Sequence, residues 1–445
     1  MTSQLSAAVG PDSTDTIPHL RSLTIRRPAM SEHGLLDYIT RDDSLVWARR
    51  GEGTVGFGEV ARFEAAGPQR FTLARAWWAA VSESAQVDNP LEHPGTGLIA
   101  FGAFAFSYSS TYASKLVVPR IVVGRNEEYS WITYTVADAD APLSIEAAES
   151  ELAQLLEEYS PEHELTHGTD QLVAGQISEA DYMESVRKGV SVIESGAVTK
   201  LVLARDAVAE LASPIAVAQV LRQLALRYID CWTYSVDGLI GATPEMLVRV
   251  RGDIAEARVL AGTLDRATAP LGDGDYARRM LLEDEKQRHE HRLAIDSLTE
   301  QLGPLASGMD APDEPFVLQL PNVWHLASDV RATLSANADG SVPGVLDLAE
   351  IFHPTAAVCG TPTKEAGRIL RDLEGMDRGP YAGPVGWIDT RGNGELGIAL
   401  RGGVVESPTS VRLYAGCGIV AASDPTEELA ESWAKMRPMR EALGL

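Results

Sequence analysis

Cysteine is scarce in this 445-residue chain: Cys231, Cys359 and Cys417 are the only three, and none stands in a CxxC spacing. That excludes a disulfide framework and a cysteine-built zinc site, and it suits a reducing cytoplasm. Positive charge is short as well. Lys and Arg number 38 against 63 Asp and Glu, a formal net charge of -25. Such a field repels nucleic acid and anionic lipid, so neither is expected as a partner. An anionic small molecule would need a local basic cluster or a metal ion to hold it here. Long apolar runs are missing too, since none approaches the ~18 residues that span a bilayer. The N-terminal MTSQLSAAVGPDSTD has no basic n-region and no apolar h-region. A secretory signal is therefore not expected, and a cytoplasmic location is. P-loop, HExxH and GxSxG motifs are all absent.

What is present is ample for a sizeable core, at 45% hydrophobic residues. Residues 1–20 read as frayed. Short β-rich runs dominate 23–135, among them 97–106 and 120–124. The acidic stretch 137–170 holds one expected amphipathic helix, over 144–158. The chain thus divides into a strand-rich N-terminal segment, 1–174, and a more informative part, 175–445. A GxGxxG match at Gly51, Gly53 and Gly56 is followed by strand-like alternation over 55–63. A dinucleotide motif must open a helix, so a hairpin turn is expected instead.

The second part opens with a helix capped by Ser178, with Asp181 at its third position, and stopped by Gly196. Tyr182, Val186, Val190 and Ile193 mark its apolar face. A strand over 198–204 follows. Runs at 231–240, 247–251 and 254–260, broken by Asp237-Gly238 and Gly252-Asp253, read as antiparallel hairpins. A long charged helix is expected over 275–302, strands over 394–405 and 411–414, and a last helix from about Thr426. Asp424 caps that last helix and Pro425 takes its first position. Helices interleave irregularly with hairpins, which points to an α+β fold with a large antiparallel sheet.

Several side chains could carry chemistry, and each has a plainer alternative. Lys200 shares a strand face with Val198 and Val202, where burial would make a lysine a usable base. Alone it reads more simply as an edge lysine facing water. Glu245, after Pro244 between two strands, could be an acid or a ligand, or a surface glutamate. Glu428, Glu431 and Lys435 share one helix face, either as an exposed ion pair or as part of a cation site with Glu290 from another helix. His289 and His291, two apart on a helix, point away from each other and make no zinc pair. Glycines crowd 383–418, as where backbone approaches an anion, and Arg401 is the natural carboxylate fork nearby.

Together these segments resemble the chorismate-utilising enzymes: isochorismate, salicylate, anthranilate and aminodeoxychorismate synthases. The resemblance runs from Gly175 to the C-terminus through ten blocks in the family's order. They include KLVLAR from Lys200, GATPE ending at Glu245, EKQRHEH at 285–291, WHL at 324–326, HPTAAVCGTP at 353–362, YAGPVGW at 381–387 and YAGCGIV at 414–420. It implies two large antiparallel β-sheets packed face to face, helices outside, and an active site in the cleft between them, as in anthranilate synthase component I. The N-terminal segment would add strands to that same unit.

The resemblance also implies roles. Lys200 is the general base that activates water, and Glu245 the general acid for the departing hydroxyl. Glu290 and Glu431 are the Mg2+ ligands, with Glu428 supporting the metal through water. Tyr381 and Arg401 grip the enolpyruvyl carboxylate. Thr263, Gly416, Gly418 and Lys435 line the carboxylate sites, and His325 lies near the ring. Anthranilate synthases have glutamine where Lys200 stands, and one type of aminodeoxychorismate synthase has its nucleophilic lysine where Ala261 stands. This chain is therefore expected to use water, as an isochorismate synthase, with salicylate synthase the alternative. No glutaminase partner and a monomeric state are expected. One departure is Gln287, where several relatives carry an acid.

Overall fold

The hairpins fall where the turn residues put them. Asp237 and Gly238 take positive φ of 49° and 84°. That is the left-handed pair a tight turn needs, and it joins Trp232–Val236 to Leu239–Thr243. Gly252, at φ 64°, does the same between Met246–Arg251 and Ile254–Asp265. Arg50 and Gly51 turn Leu45–Arg49 back into Glu52–Phe57, so the GxGxxG stretch is a hairpin. The computed structural model describes residues 17–31, 33–157, 171–266, 269–270, 273, 275–320 and 323–445, and for Ala261, Thr263, Asp265, Lys286 and Glu290 the backbone alone.

The helix Glu179–Glu194 starts as its sequence dictates, with Ser178 Oγ accepting the Asp181 N–H at 3.1 Å. It buries Tyr182, Val186 and Ile193, and Gly196 ends it at φ 82°. In Pro425–Ala442 the Asp424 side chain accepts the N–H groups of Thr426 and Glu427. Three expectations need correction. The strand read as 198–204 is Lys200–Glu210, so Lys200 is its first residue and not its middle. The charged helix begins only at Glu285, because Asp284 caps it by accepting the Gln287 N–H. Residues 394–405 are two strands, Gly394–Ile398 and Gly402–Ser407, which lie in different sheets.

Among the described residues thirteen strands form one antiparallel-rich sheet and ten form another. Strands of the first 174 residues enter both: Leu45–Arg49 pairs with Trp232–Val236, and Ile99–Ala103 with Pro384–Asp389. Between the sheets, Trp47, Trp232 and Tyr234 from one meet Phe101, Val385 and Trp387 from the other. Outside, Val217–Arg227 and Pro425–Ala442 pack Val220, Leu224, Met436 and Met439 against the larger sheet. Arg70–Ser84 and Val345–Phe352 do the same over the smaller sheet with Phe71, Trp78, Leu348 and Phe352. Each such side chain stabilises the fold by roughly 1.5–3 kcal/mol. Among the described residues no helix is long and apolar enough to cross a membrane.

Two of the chain's crossings between the sheets run on neighbouring paths. Leu239–Thr243 belongs to the larger sheet and Met246–Arg251 to the smaller; Gly394–Ile398 belongs to the smaller and Gly402–Ser407 to the larger. The crossings run side by side, with the Ile398 N–H donating to the Glu245 carbonyl at 3.1 Å and the Ala242 N–H to the Arg401 carbonyl at 3.4 Å. Glu245 and Arg401 ride on these crossings.

Candidate active site

A pocket with about 650 Å³ of empty space opens at the crossings. Six side chains or backbones singled out in the sequence line it: Glu245, His325, Tyr381, Arg401, Gly416 and Lys435. Glu245 is 6% exposed. Burial pushes its carboxyl up from the usual 4.5 to about 8, outweighing the opposite pull of Lys200, Arg401 and Lys435. The acid is therefore protonated near neutrality, as a general acid must be.

Opposite the acid stands a cationic wall. Arg401 is held at φ 52°, and its Nη1 is buried with no partner in the protein. Burial lowers its pKa, yet a guanidinium keeps its charge. An unmatched buried donor of this kind is costly unless a ligand oxygen completes it. Lys435 Nζ lies 2.5 Å from Glu431 Oε1 and donates to the Gly416 carbonyl at 2.9 Å. Burial acts to lower the Lys435 ammonium, but Glu431 outweighs it and raises it. Tyr381 stacks on Tyr414 with ring centroids 5.2 Å apart and planes 8° apart. Burial pushes its phenol up to about 12, so it remains an O–H donor. A Cβ at Gly416 would come within 3.2 Å of that hydroxyl, which is why glycine suits the position. His325 meets the Gly262 carbonyl through Nδ1 at 3.3 Å. Burial, then Arg401 and Lys435, lower it to about 3, leaving a neutral imidazole.

Other named residues lie beside this wall. Lys200 is half-buried at the start of its strand, paired with Thr361, and its charge is felt by both Glu245 and Glu431. Val202, two residues on, lines the pocket and pairs with Gly418. Lys200 and Gly418 themselves are not among the described residues lining it. Ala357 and Val358 line it as small apolar side chains. The Thr263 and Glu290 side chains lie outside the described residues. The backbone of Thr263 pairs with His325, and Glu290 lies within the helix Glu285–Leu302.

Glu428, Glu431 and Cys417 bring one ligand atom each within 4.8 Å of one another. Burial and the neighbouring Glu431 raise Glu428 to about 7, and its Oε2 is buried without a partner. Burial would raise Glu431 too, but Lys435 holds it below the ordinary range. Two adjacent carboxylates with an unmatched oxygen fit a hard divalent cation, which takes oxygen ligands. Cys417 fits that cation poorly: burial pushes its thiol up to about 12, and its Sγ donates to the Glu428 carbonyl at 3.3 Å.

Sequence reasoning missed Arg378, which also lines the pocket. It is 3% exposed, ion-paired with Glu374, and donates to the Val202 carbonyl at 2.6 Å and the Val358 carbonyl at 2.9 Å. It thus ties the Lys200 strand to the segment carrying Ala357 and Val358. Its place three residues before Tyr381 was the only signal available.

Comparison with known proteins shows the family and the fold. Isochorismate synthase DhbC of Bacillus subtilis (strain 168) is 37% identical over 276 residues, 60% of this chain and 68% of that protein. The salicylate biosynthesis isochorismate synthase of Pseudomonas aeruginosa is 32% identical over 413 residues, 90% of this chain and 84% of that one. The solved structure of MenF, the menaquinone-specific isochorismate synthase from Escherichia coli, shares the fold with a TM-score of 0.74 at 23% identity, over 96% of this chain and 95% of that one. The profile described as chorismate binding enzyme matches residues 7–444, and the chain belongs to that family.

Proposed function

We propose that this protein is a Mg2+-dependent isochorismate synthase, converting chorismate to isochorismate for menaquinone or siderophore biosynthesis, without a glutaminase subunit. One observation carries the reading furthest. A buried carboxyl raised to about 8 faces a pocket walled by Arg401, Tyr381 and Lys435, with Lys200 close enough to pull on it. Such a site offers a proton to a leaving group while cations hold an anion.

Chorismate is a dianion, and an acidic protein must supply local positive charge for it. Arg401 and the Tyr381 phenol would take the enolpyruvyl carboxylate, completing the unmatched guanidinium donor. Glu431 and Glu290, with Glu428 through water, would hold the metal, which neutralises the ring carboxylate and orients it. Lys200 takes a proton from water as its oxygen bonds to ring carbon C2. The ring double bonds shift, Glu245 protonates the C4 hydroxyl, and the C4–O bond breaks to release water. Hydroxide is a poor leaving group, so the acid is required.

The names of the relatives support the isochorismate reading, since they describe isochorismate synthases. Incubation of the pure protein with chorismate and Mg2+, followed by chromatography, tests it. An equilibrium mixture of chorismate and isochorismate is the expected result. Unchanged chorismate, or an aminated product from ammonium, would sink the proposal.

A further inference from the structure

Glu245 faces two cavities. The second, with about 430 Å³ of empty space, shares only Glu245 and Ala357 with the substrate pocket. Most of its wall is apolar, from Leu247, Val259, Leu298, Phe352 and Ile398. Through that apolar wall runs a series of polar groups. Thr355 Oγ1 and Gln301 Oε1 are buried with no partner in the protein. The Gln301 amide nitrogen donates to Ser297 Oγ at 3.4 Å, and Ser297 lines the same cavity. Gln301 also stands on the wall of a much larger, solvent-open groove of about 2440 Å³. It is the one residue shared by the cavity and that groove among the described residues.

Unmatched buried oxygens are costly, and a hydroxyl and an amide oxygen around one cavity are what bridging waters require. The reaction also needs a proton returned to Glu245. Each turnover moves one proton from Glu245 to the departing C4 hydroxyl, and one from the attacking water to Lys200. Glu245 is then a carboxylate, behind a pocket filled by product, and must regain a proton before the next turnover.

We propose that Thr355 and Gln301 are positioning residues of a water path that returns a proton to Glu245 from the solvent-open groove. The inference rests on the reading of Glu245 as the general acid. The proton comes from a solvent acid at the groove and passes by way of Gln301 and Thr355 to the Glu245 carboxylate. Lys200 gives its own proton back to solvent, so each cycle is balanced with no further reactant.

The test uses Thr355→Val and Gln301→Leu, which keep volume and remove the polar atom, beside Thr355→Ser. The readouts are kcat, KM for chorismate, the solvent deuterium isotope effect on kcat, and rescue by imidazole as a small diffusible acid. For Val and Leu, kcat is expected to fall about tenfold with KM falling in step and kcat/KM unchanged, because reprotonation, a step after the chemistry, becomes limiting. The isotope effect rises, imidazole restores part of the rate, and Thr355→Ser recovers wild-type behaviour. Wild-type kcat and isotope effect in both apolar variants overturn the path. So does equal loss in Thr355→Ser with no imidazole rescue, which marks a packing role. Glu245→Gln separates the two readings. Normal turnover there removes Glu245 as the acid, whereas an inactive Glu245→Gln beside fully active Thr355→Val and Gln301→Leu overturns the path alone.

Discussion

Lys435 Nζ sits 2.5 Å from Glu431 Oε1, one turn earlier on the same helix. The lysine lines the substrate pocket, while Glu431 and the half-buried Glu428 bring carboxylate oxygens within 4.8 Å of each other. Activity is expected to require Mg2+, to vanish in excess EDTA and to return on adding the ion. Isothermal titration should show Glu431→Gln binding Mg2+ at least ~10-fold more weakly, the lower bound for loss of a supporting metal contact. Full turnover in EDTA would remove the metal from the mechanism.

Glu245 gives a pH signature with a defined sign. Its carboxyl is raised from 4.5 to about 8, so the proton-donating form is lost as pH rises through about 8, and kcat should fall there. The neutral buried acid favours folding fully below 4.5, and that contribution is lost as pH rises toward the folded value. Glu245→Gln, which carries no charge, is expected to lose ~10²-fold or more in kcat yet to melt above wild type, by a margin that widens toward pH 8. Calorimetry at several pH values checks it, and a variant less stable than wild type at pH 8 contradicts the burial argument.

Lys200→Ala should lose isochorismate formation by ~10²-fold or more, the usual scale for a general base. With ammonium present, traces of aminated product are expected, since ammonia needs less activation than water. Near-normal water-dependent turnover would show that Lys200 is not the base.

Arg401 presents a planar fork with an unmatched buried Nη1, which an ammonium cannot reproduce. Arg401→Lys is expected to raise the chorismate KM by ~10-fold, about 1.4 kcal/mol, with a smaller change in kcat. A KM equal to wild type would place the enolpyruvyl carboxylate elsewhere.

The reaction is expected to stop at isochorismate. Going on to salicylate would require the side chain to fold back over the ring in a tightly shaped cleft. Ala357 and Val358 offer only small apolar side chains to that wall. Following salicylate fluorescence with chorismate and Mg2+ decides the matter, and salicylate formed as fast as chorismate is lost would make this a salicylate synthase.

Much of this molecule is determined locally. Ser178 and Asp424 cap their helices because their side-chain oxygens reach the first free N–H groups, whatever the rest of the fold does. Asp237-Gly238 and Gly252 set their hairpins because positive φ is a local steric matter. The GATPE block likewise singles out Glu245 from residue order, while Arg401 stands out by its glycine-rich surroundings and Lys435 by its spacing on the last helix. Only the tertiary structure decided where strands end and what they face. Residues 394–405 alternate like one strand, but the chain leaves one sheet and enters the other at Arg401, because pairing partners on both sides compete for it. Asp284 cuts the long charged helix by offering its N-cap oxygen to Gln287. Arg378 and the cavity behind Glu245 were not legible in the sequence, since they bring together segments far apart in the chain, Val202 with Arg378 and Glu245 with Gln301 and Thr355. Burial arises from packing, and it raises Glu245 to about 8 against the pull of its cationic neighbours and leaves the Thr355 and Gln301 oxygens unmatched in the adjoining cavity.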